Sequence, residues 1–463
     1  MENLKELNQR IISLVNINLE KFAFDAGTFV DNTLDYEKML KFFAFYGITE
    51  HHPIYFSFKD SNIAGSHFLG KCYVKNSVVY KTDIRGDELK KRDNINCLED
   101  EFISIKNSLL YKTLVHSCSH NPISYEEFFI KNTISAHYAN IHGSTVEGCF
   151  LGAFATVDLM NLYSCIVGEF SYIQTPNLFH KKINPGTIWI KNSDFEFKYN
   201  FNKELLDNYI GINSSHQPRG IIYEFIQQRE KEYENKFQLI KPELFNAPLS
   251  SAVSPFAVIK ENTFIGENVF VAQKAFLDNA QMCDGVNAQE NSYIINSKLT
   301  GLNVTAHGGT IINSDVGLKV FVGFNSFLNG KEKARIKIGK NCIIMPHTII
   351  DNDTALEIPE KHVVWGFINS QKDIEKNSIS LENLSKNNNT LKIGDMEFKG
   401  DGQAFINVFI SRIEHILEAN GACYNGNENQ GHGQNNQKID FNFIQPYSTG
   451  KNKGLYPSIE IKP

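Results

Sequence analysis

The sequence predicts a mainly β protein whose core is a coil of short parallel strands, and three observations carry that expectation. Aliphatic residues recur every six positions at Ile259, Ile265, Val271 and Leu277, with Thr263, Val269 and Ala275 two places before the last three. The same phasing returns as Thr310 with Ile312, Val316 with Leu318 and Val322 with Phe324. It returns again as Ile338, Cys342 with Ile344 and Thr348 with Ile350, and closes on Ile358 and Val364. The composition also favours strands: 35 Phe and 18 Tyr stand against 13 Pro. A period of six is neither helical nor simple strand alternation. Positions i−2 and i share one face of a strand, and polar or glycine residues such as Gly266, Gly317, Gly323 and Gly339 mark corners. Short strands separated by corners stack into a coil because no single turn can bury its own apolar face.

These phased runs resemble the bacterial hexapeptide-repeat transferase superfamily. The resemblance covers residues 251–367 and, less regularly, 134–175, where Ile141, Leu151, Val157 and Val167 recur; a further match begins at Ile63 with Leu69 six later. It implies a left-handed parallel β-helix of hexapeptide repeats, to which the sequence adds N-terminal helices, an inserted α+β excursion and a C-terminal α/β extension.

In chain order, LKELNQRIISLVNINLE (4–20) and LDYEKMLKFFAFY (34–46) have apolar residues at three- and four-residue intervals, which predicts helices within an N-terminal region, 1–62. Residues 63–175 form the irregular first coil segment. Residues 176–250 read as an inserted subdomain or lid, with a strand-like stretch at 187–201 and a helix at 220–237. The regular coil follows at 251–367. The C-terminal extension, 368–463, contains an amphipathic helix at 402–420 and an Asn/Gly/Gln-rich loop at 424–437.

Composition excludes several classes. With 46 Lys+Arg and 52 Asp+Glu the net charge is −6, so no general basic excess points to nucleic acid. No apolar run reaches the ~18 residues of a membrane span, and the N-terminus lacks the apolar run of a secretory signal. Eight cysteines without a CxxC predict reduced thiols and a cytoplasmic protein. Walker, GxGxxG, HExxH and GxSxG signatures are absent. Residues 1–130 also lack the glycine- and arginine-rich loop of a nucleotidyltransferase.

The titratable candidates are histidines on the coil. With Ala306 taken as inward, His307 points outward, followed by Gly308 and Gly309, which allow close approach to the backbone. His142 follows inward Ile141 and precedes Gly143 in a similar context. A neutral imidazole there can take a proton from an acceptor. The resemblance implies an acyltransferase using acetyl-CoA or another acyl-CoA, a histidine base in an inter-subunit cleft, and a homotrimer. His307 or His142 would be the base, and amides near Gly308 and Gly309 would stabilise the oxyanion. His347 and His137 would help bind substrate. His180, His51 and His52 are weaker candidates, and His362 reads as structural. Asp315, Asp351 or Asp353 could orient an imidazole. Phe321 and Phe327 read as outward aromatics of a subunit interface, with Phe324 inward. The expected acceptor is a sugar, nucleotide sugar or similar small molecule, with no metal, nucleic acid or membrane partner. The alternatives are a non-catalytic β-helix assembly platform and a zinc enzyme like the γ-class carbonic anhydrases. The second needs a close histidine pair on successive turns, which the linear spacing does not display.

Overall fold

The computed structural model describes residues 3–49, 55–86, 102–117, 127–237, 245–446 and 454–461. The chain divides into two compact units: Met1–Thr187 with Asn202–Ile240 and Ile439–Pro463, and Ile188–Phe201 with Lys241–Lys438. Each is built on a left-handed parallel β-helix with three sheets.

In the first unit the inward residues stack in parallel register. On one side they are Phe68, Ile84, Val115, Ile141, Val157 and Ile173. The other two sides carry Val74, Ile105, Ile130, Val146, Leu162 and Leu178, and Val79, Leu110, Ser135, Leu151, Val167 and Ile183. Stacked equivalents between Ile141 and Ile183 lie sixteen residues apart, made of sides of five, five and six. That shortened turn explains why the hexads in 134–175 look irregular. The coil also continues past 175 through Leu178–Phe179 and Lys182–Ile183, which lie in the region read as an insertion. One corner is held by a ladder of small polar side chains. Ser61, Ser77, Ser108, Thr133, Cys149 and Cys165 each donate to the carbonyl two residues earlier. Each accepts the backbone N–H of its counterpart on the next turn. Six cysteines lie among the described residues and all are free thiols.

The helix Leu4–Leu19 forms as its spacing predicts and is opened by an Asn3/Glu6 capping box. The expected helix 34–46 does not form. A single 3₁₀ turn, Lys38–Leu40, is followed by the strand Ala44–Ile48. Phe45 and Tyr46 are buried in that strand, Tyr46 stacking on Phe56, and aromatic packing overrides the helical spacing. Strands Asp440–Ile444 and Ile459–Ile461 add antiparallel to the coil's first strands and close its end. The helix Ile221–Lys236 matches its expectation.

In the second unit, turns of seventeen residues stack Val271, Ala288, Thr305 and Val322, then Ile344 and Val364 after longer turns. The other sides carry Leu277, Ile294, Ile311, Leu328, Ile350 and Ile368, and Ile265, Met282, Leu299, Val316, Ile338 and Ile358. The phase expected for the middle run is therefore corrected. Ile311, rather than Ile312, lies in the apolar core, and Leu318 is 42% exposed. A five-residue side between Ile311 and Val316 shifts the phase by one. Thr305, not Ala306, is the inward residue before His307. Asn279, Asn296 and Asn313, in left-handed corner conformation, form a side-chain amide ladder. The helix Gly402–Ala419 is capped by Asp401 and buries Phe405, Ile406 and Phe409. Phe405 packs on Phe195, Phe197 and Phe398 of two paired strands. Arg412 lies over the Phe324 ring, and Phe321 and Phe327 are 2% and 1% exposed. The expectation of exposed interface aromatics at Phe321 and Phe327 is thus corrected: both are buried within the chain. Among the described residues no helix is long and apolar enough to cross a membrane.

Candidate active site

Within the first unit, the strand alternation that turns Ile141, Val157 and Ile173 inward turns their neighbours outward. The outward residue after each inward one forms a row running Arg85, His116, His142 and Asp158 in direct register. The row is buried or half-buried: Arg85 is 3%, His142 6% and Asp158 0% exposed. His142 Nδ1 lies 2.8 Å from Asp158 Oδ1, within hydrogen-bond geometry. The hydroxyl of Tyr172, one turn further on, donates to the other carboxylate oxygen of Asp158. With its proton on Nδ1, His142 carries its basic lone pair on Nε2, the tautomer that a base oriented by a carboxylate adopts. His116 packs edge-on against His142 with ring centroids 5.1 Å apart. The close histidine pair that the linear spacing does not display is therefore present: His116 and His142 sit on successive turns. Their separation of 26 residues, against sixteen for the turn from His142 to Asp158, hid it.

His137 lies two residues past inward Ser135, at a corner rather than on a strand. It is surrounded by Phe29, Tyr111 and Tyr223 rings. Burial, aided by the charge of Lys112, pushes its pKa well below the ordinary histidine range. A neutral imidazole boxed by aromatics is the packing of a core histidine. His180 is a corner residue with φ of 50°; His51 and His52 lie outside the described residues.

Within the second unit, Glu290, His307 and Phe324 occupy one corner column, each two residues past an inward side chain. His307 Nδ1 stands 2.8 Å from Glu290 Oε2, and both side chains are nearly inaccessible. The pair lacks the in-line hydrogen-bond geometry of His142 and Asp158. His307 also packs on Phe324, with centroids 5.3 Å apart. Gly308 belongs to the next column, with Lys274, Asn291, Asn325 and His347, all left-handed. His347 is fully buried there. Gly309 fills the small inward position shared by Ala275, Ser292, Ser326 and Thr348. A Cβ on it would come within 2.9 Å of the Ala306 carbonyl oxygen and of the Thr305 side chain. The Gly308 and Gly309 amides donate to the Glu290 and Ala306 carbonyls, at 3.0 and 2.8 Å. Both amides are thus engaged within the coil's own backbone. Asp315 pairs with Arg335 through two contacts, at 3.0 and 2.9 Å, and Asp351 with Lys331. His362 bonds the Glu360 carbonyl.

Sequence reasoning singled out His142 and His307 but missed Asp158, Glu290, His116 and Tyr172. The coil period was the signal: Asp158 is sixteen residues after His142, and Glu290 is seventeen before His307.

Residues 93–214 match the family described as hexapeptide repeat including loop. A crystal structure of a presumed acetyltransferase from Desulfovibrio desulfuricans G20 is 48% identical, with a TM-score of 0.91, covering 100% of this chain and 99% of that one. A second presumed acetyltransferase, from Bacillus cereus, is 14% identical with a TM-score of 0.20, over 42% of this chain and 95% of that one. No curated protein matches the chain.

Proposed function

From the premise that the chain belongs to the bacterial hexapeptide-repeat transferase superfamily, we propose that it is an acyltransferase that moves an acyl group from acyl-CoA to a small hydroxyl or amine acceptor. What supports acyl transfer is the full-length likeness to the Desulfovibrio protein. The observation that carries the residue assignment is the buried His142–Asp158 pair on the outward side of the coil. His142 Nε2 takes the acceptor proton as the acceptor oxygen or nitrogen attacks the thioester carbonyl. The new C–O or C–N bond forms, the C–S bond breaks, and the proton passes to the leaving sulfur. His307, held against Glu290, is the second candidate base. The donor in this reading is acetyl-CoA, the acceptor a sugar, nucleotide sugar or similar molecule, and the assembly a homotrimer.

The test is thiol release from acetyl-CoA across a panel of amino sugars, sugars and amino acids, run beside thermal shifts with acetyl-CoA and desulfo-CoA. Stabilisation by either nucleotide and turnover lost in His142→Ala are expected. No stabilisation at millimolar ligand and no thiol release would overturn the reading. His307→Ala, assayed in parallel, decides between the two histidines.

The His116–His142 pair favours a second reading, a zinc-type enzyme in which two imidazoles on adjacent turns supply ligands. Elemental analysis of protein purified without chelator decides it. Stoichiometric zinc lost in His116→Ala would support it, and metal-free protein with thiol-releasing activity would remove it.

A further inference from the structure

We infer that Tyr172 is a positioning residue that, through Asp158, fixes the tautomer and orientation of His142. The three side chains stand on three successive turns: His142 in the strand Asn140–His142, Asp158 in Thr156–Asp158 and Tyr172 in Tyr172–Gln174. Asp158 and Tyr172 are both 0% exposed. A carboxylate taken wholly out of water needs partners on both oxygens, since leaving either bare is costly. Asp158 has them: Nδ1 of His142 at Oδ1, 2.8 Å away, and the Tyr172 hydroxyl at Oδ2. The hydroxyl itself is placed by the stack, because Tyr172 pairs in register with Thr156, two residues before Asp158. It also lies 3.1 Å from the Gln174 side-chain oxygen.

Two anchored oxygens stop the carboxylate from rotating. A carboxylate fixed in this orientation presents Oδ1 to Nδ1 of His142 and so favours the tautomer with its proton on Nδ1. Among the described residues of this unit, His116 on the preceding turn and Asp158 on the following one both lie against the His142 ring. Removing the tyrosine hydroxyl takes away the contact that Tyr172 makes with the second carboxylate oxygen. His142 then samples the other tautomer, in which Nε2 carries the proton and cannot accept one. The benefit to turnover rests on the acyltransferase reading above, but the tautomer does not.

The experiment uses the full chain labelled with ¹⁵N-histidine, with the His142 signals identified by their loss in His142→Gln. In the wild type, His142 is expected as the Nδ1–H tautomer. In Tyr172→Phe the two ring nitrogens shift toward a mixture, while kcat falls about tenfold at unchanged KM; that fall corresponds to the loss of a single hydrogen bond to a charged group. Gln174→Ala touches the same hydroxyl and is expected to keep the wild-type tautomer. A Tyr172→Phe protein whose His142 stays fully Nδ1–H with unaltered kcat overturns the proposal, as does a wild type in the Nε2–H form. If the tautomer responds but no acyl-CoA is turned over by any form, the positioning role stands and the acyltransferase reading falls.

Discussion

The helix Ile221–Lys236 is fastened to its coil by charge, and replacing Glu230 with glutamine measures how strongly. Gln227, Glu230 and Glu234 lie along one face of that helix, three and four residues apart. They meet Tyr138, Lys112 and Lys81 at corners of successive turns. The match is geometric: a helical turn rises about 5.4 Å and a coil turn about 4.8 Å. Glu230 lies 2.8 Å from both lysines, and its side chain is only 17% exposed. Burial alone would raise its pKa, but the charges and hydrogen bonds of Lys112 and Lys81 outweigh that and bring it from 4.5 down to about 2. Burial lowers Lys112 to about 8 even with Glu230 beside it. A carboxyl depressed on folding stabilises the native state above its unfolded pKa, and that stability is lost as pH falls through the folded one. The window is thus pH 4.5 to 2, worth at most about 3.4 kcal/mol at 1.36 kcal/mol per pH unit. Glu230→Gln also strips Lys112 of a counter-charge, so the cost at pH 7 is about 3 kcal/mol. For a unit of roughly 250 residues this lowers Tm by about 6–12 °C. Thermal melts of both proteins from pH 7 to 2.5 check it. The gap between the curves should close as the wild-type carboxyl protonates. Parallel curves, or a Tm difference below about 2 °C at pH 7, would refute the reasoning.

The corrected phase of the second coil is tested by a pair of truncations: Val316→Ala, in the core, is expected to cost about 2 kcal/mol, and Leu318→Ala less than about 0.5, by urea denaturation. Asn296→Ala removes both neighbours' amide bonds and places a Cβ residue without a polar tip at φ of 47°, costing about 2 kcal/mol by the same measurement. Gly308→Asn copies the residue at 291 and 325 of its own left-handed column, but its Cβ would stand 2.1 Å from the side-chain oxygen of the buried Asn325, so it is expected to cost about 1–3 kcal/mol by the same measurement while thiol release persists. A loss of activity without unfolding in that variant would place Gly308 in the site.

The fold was legible where one constraint dominated. From Ile259 to Leu277 every side of the coil is six residues long, so the period announces the inward row. From Leu277 to Leu328 one side per turn shortens to five, and the phase read from Ile312, Leu318 and Phe324 is off by one at the first and by two at the others. In the first coil two sides of three are short, and the hexad pattern dissolves although the stacking is as regular. The segment FFAFY shows the other limit. Its apolar spacing suits a helix, but the rings of Phe56 and Phe68 that draw it into a sheet lie elsewhere in the chain. Outward polar residues carry no periodic signature, so histidines could be found but not their partners.

The stacking geometry supplies a rule for those partners. In a coil whose turns contain sixteen or seventeen residues, each outward side chain meets the residue one full turn away at the strand spacing of about 4.8 Å. His142 and Asp158 obey the first offset, and Glu290 and His307 the second. Asp315, Asp351 and Asp353 were attractive as orienting acids because they lie near His307 and His347 in sequence. None is one full turn from either, and Asp315 and Asp351 are bound instead by Arg335 and Lys331. Where a turn is longer the rule must absorb it: His116 and His142 are 26 residues apart in sequence, yet they pair in register on adjacent strands. A coil therefore records its side-chain contacts at a nearly constant offset, and a histidine with a carboxylate one turn away can be recognised from sequence once the length of that turn is known.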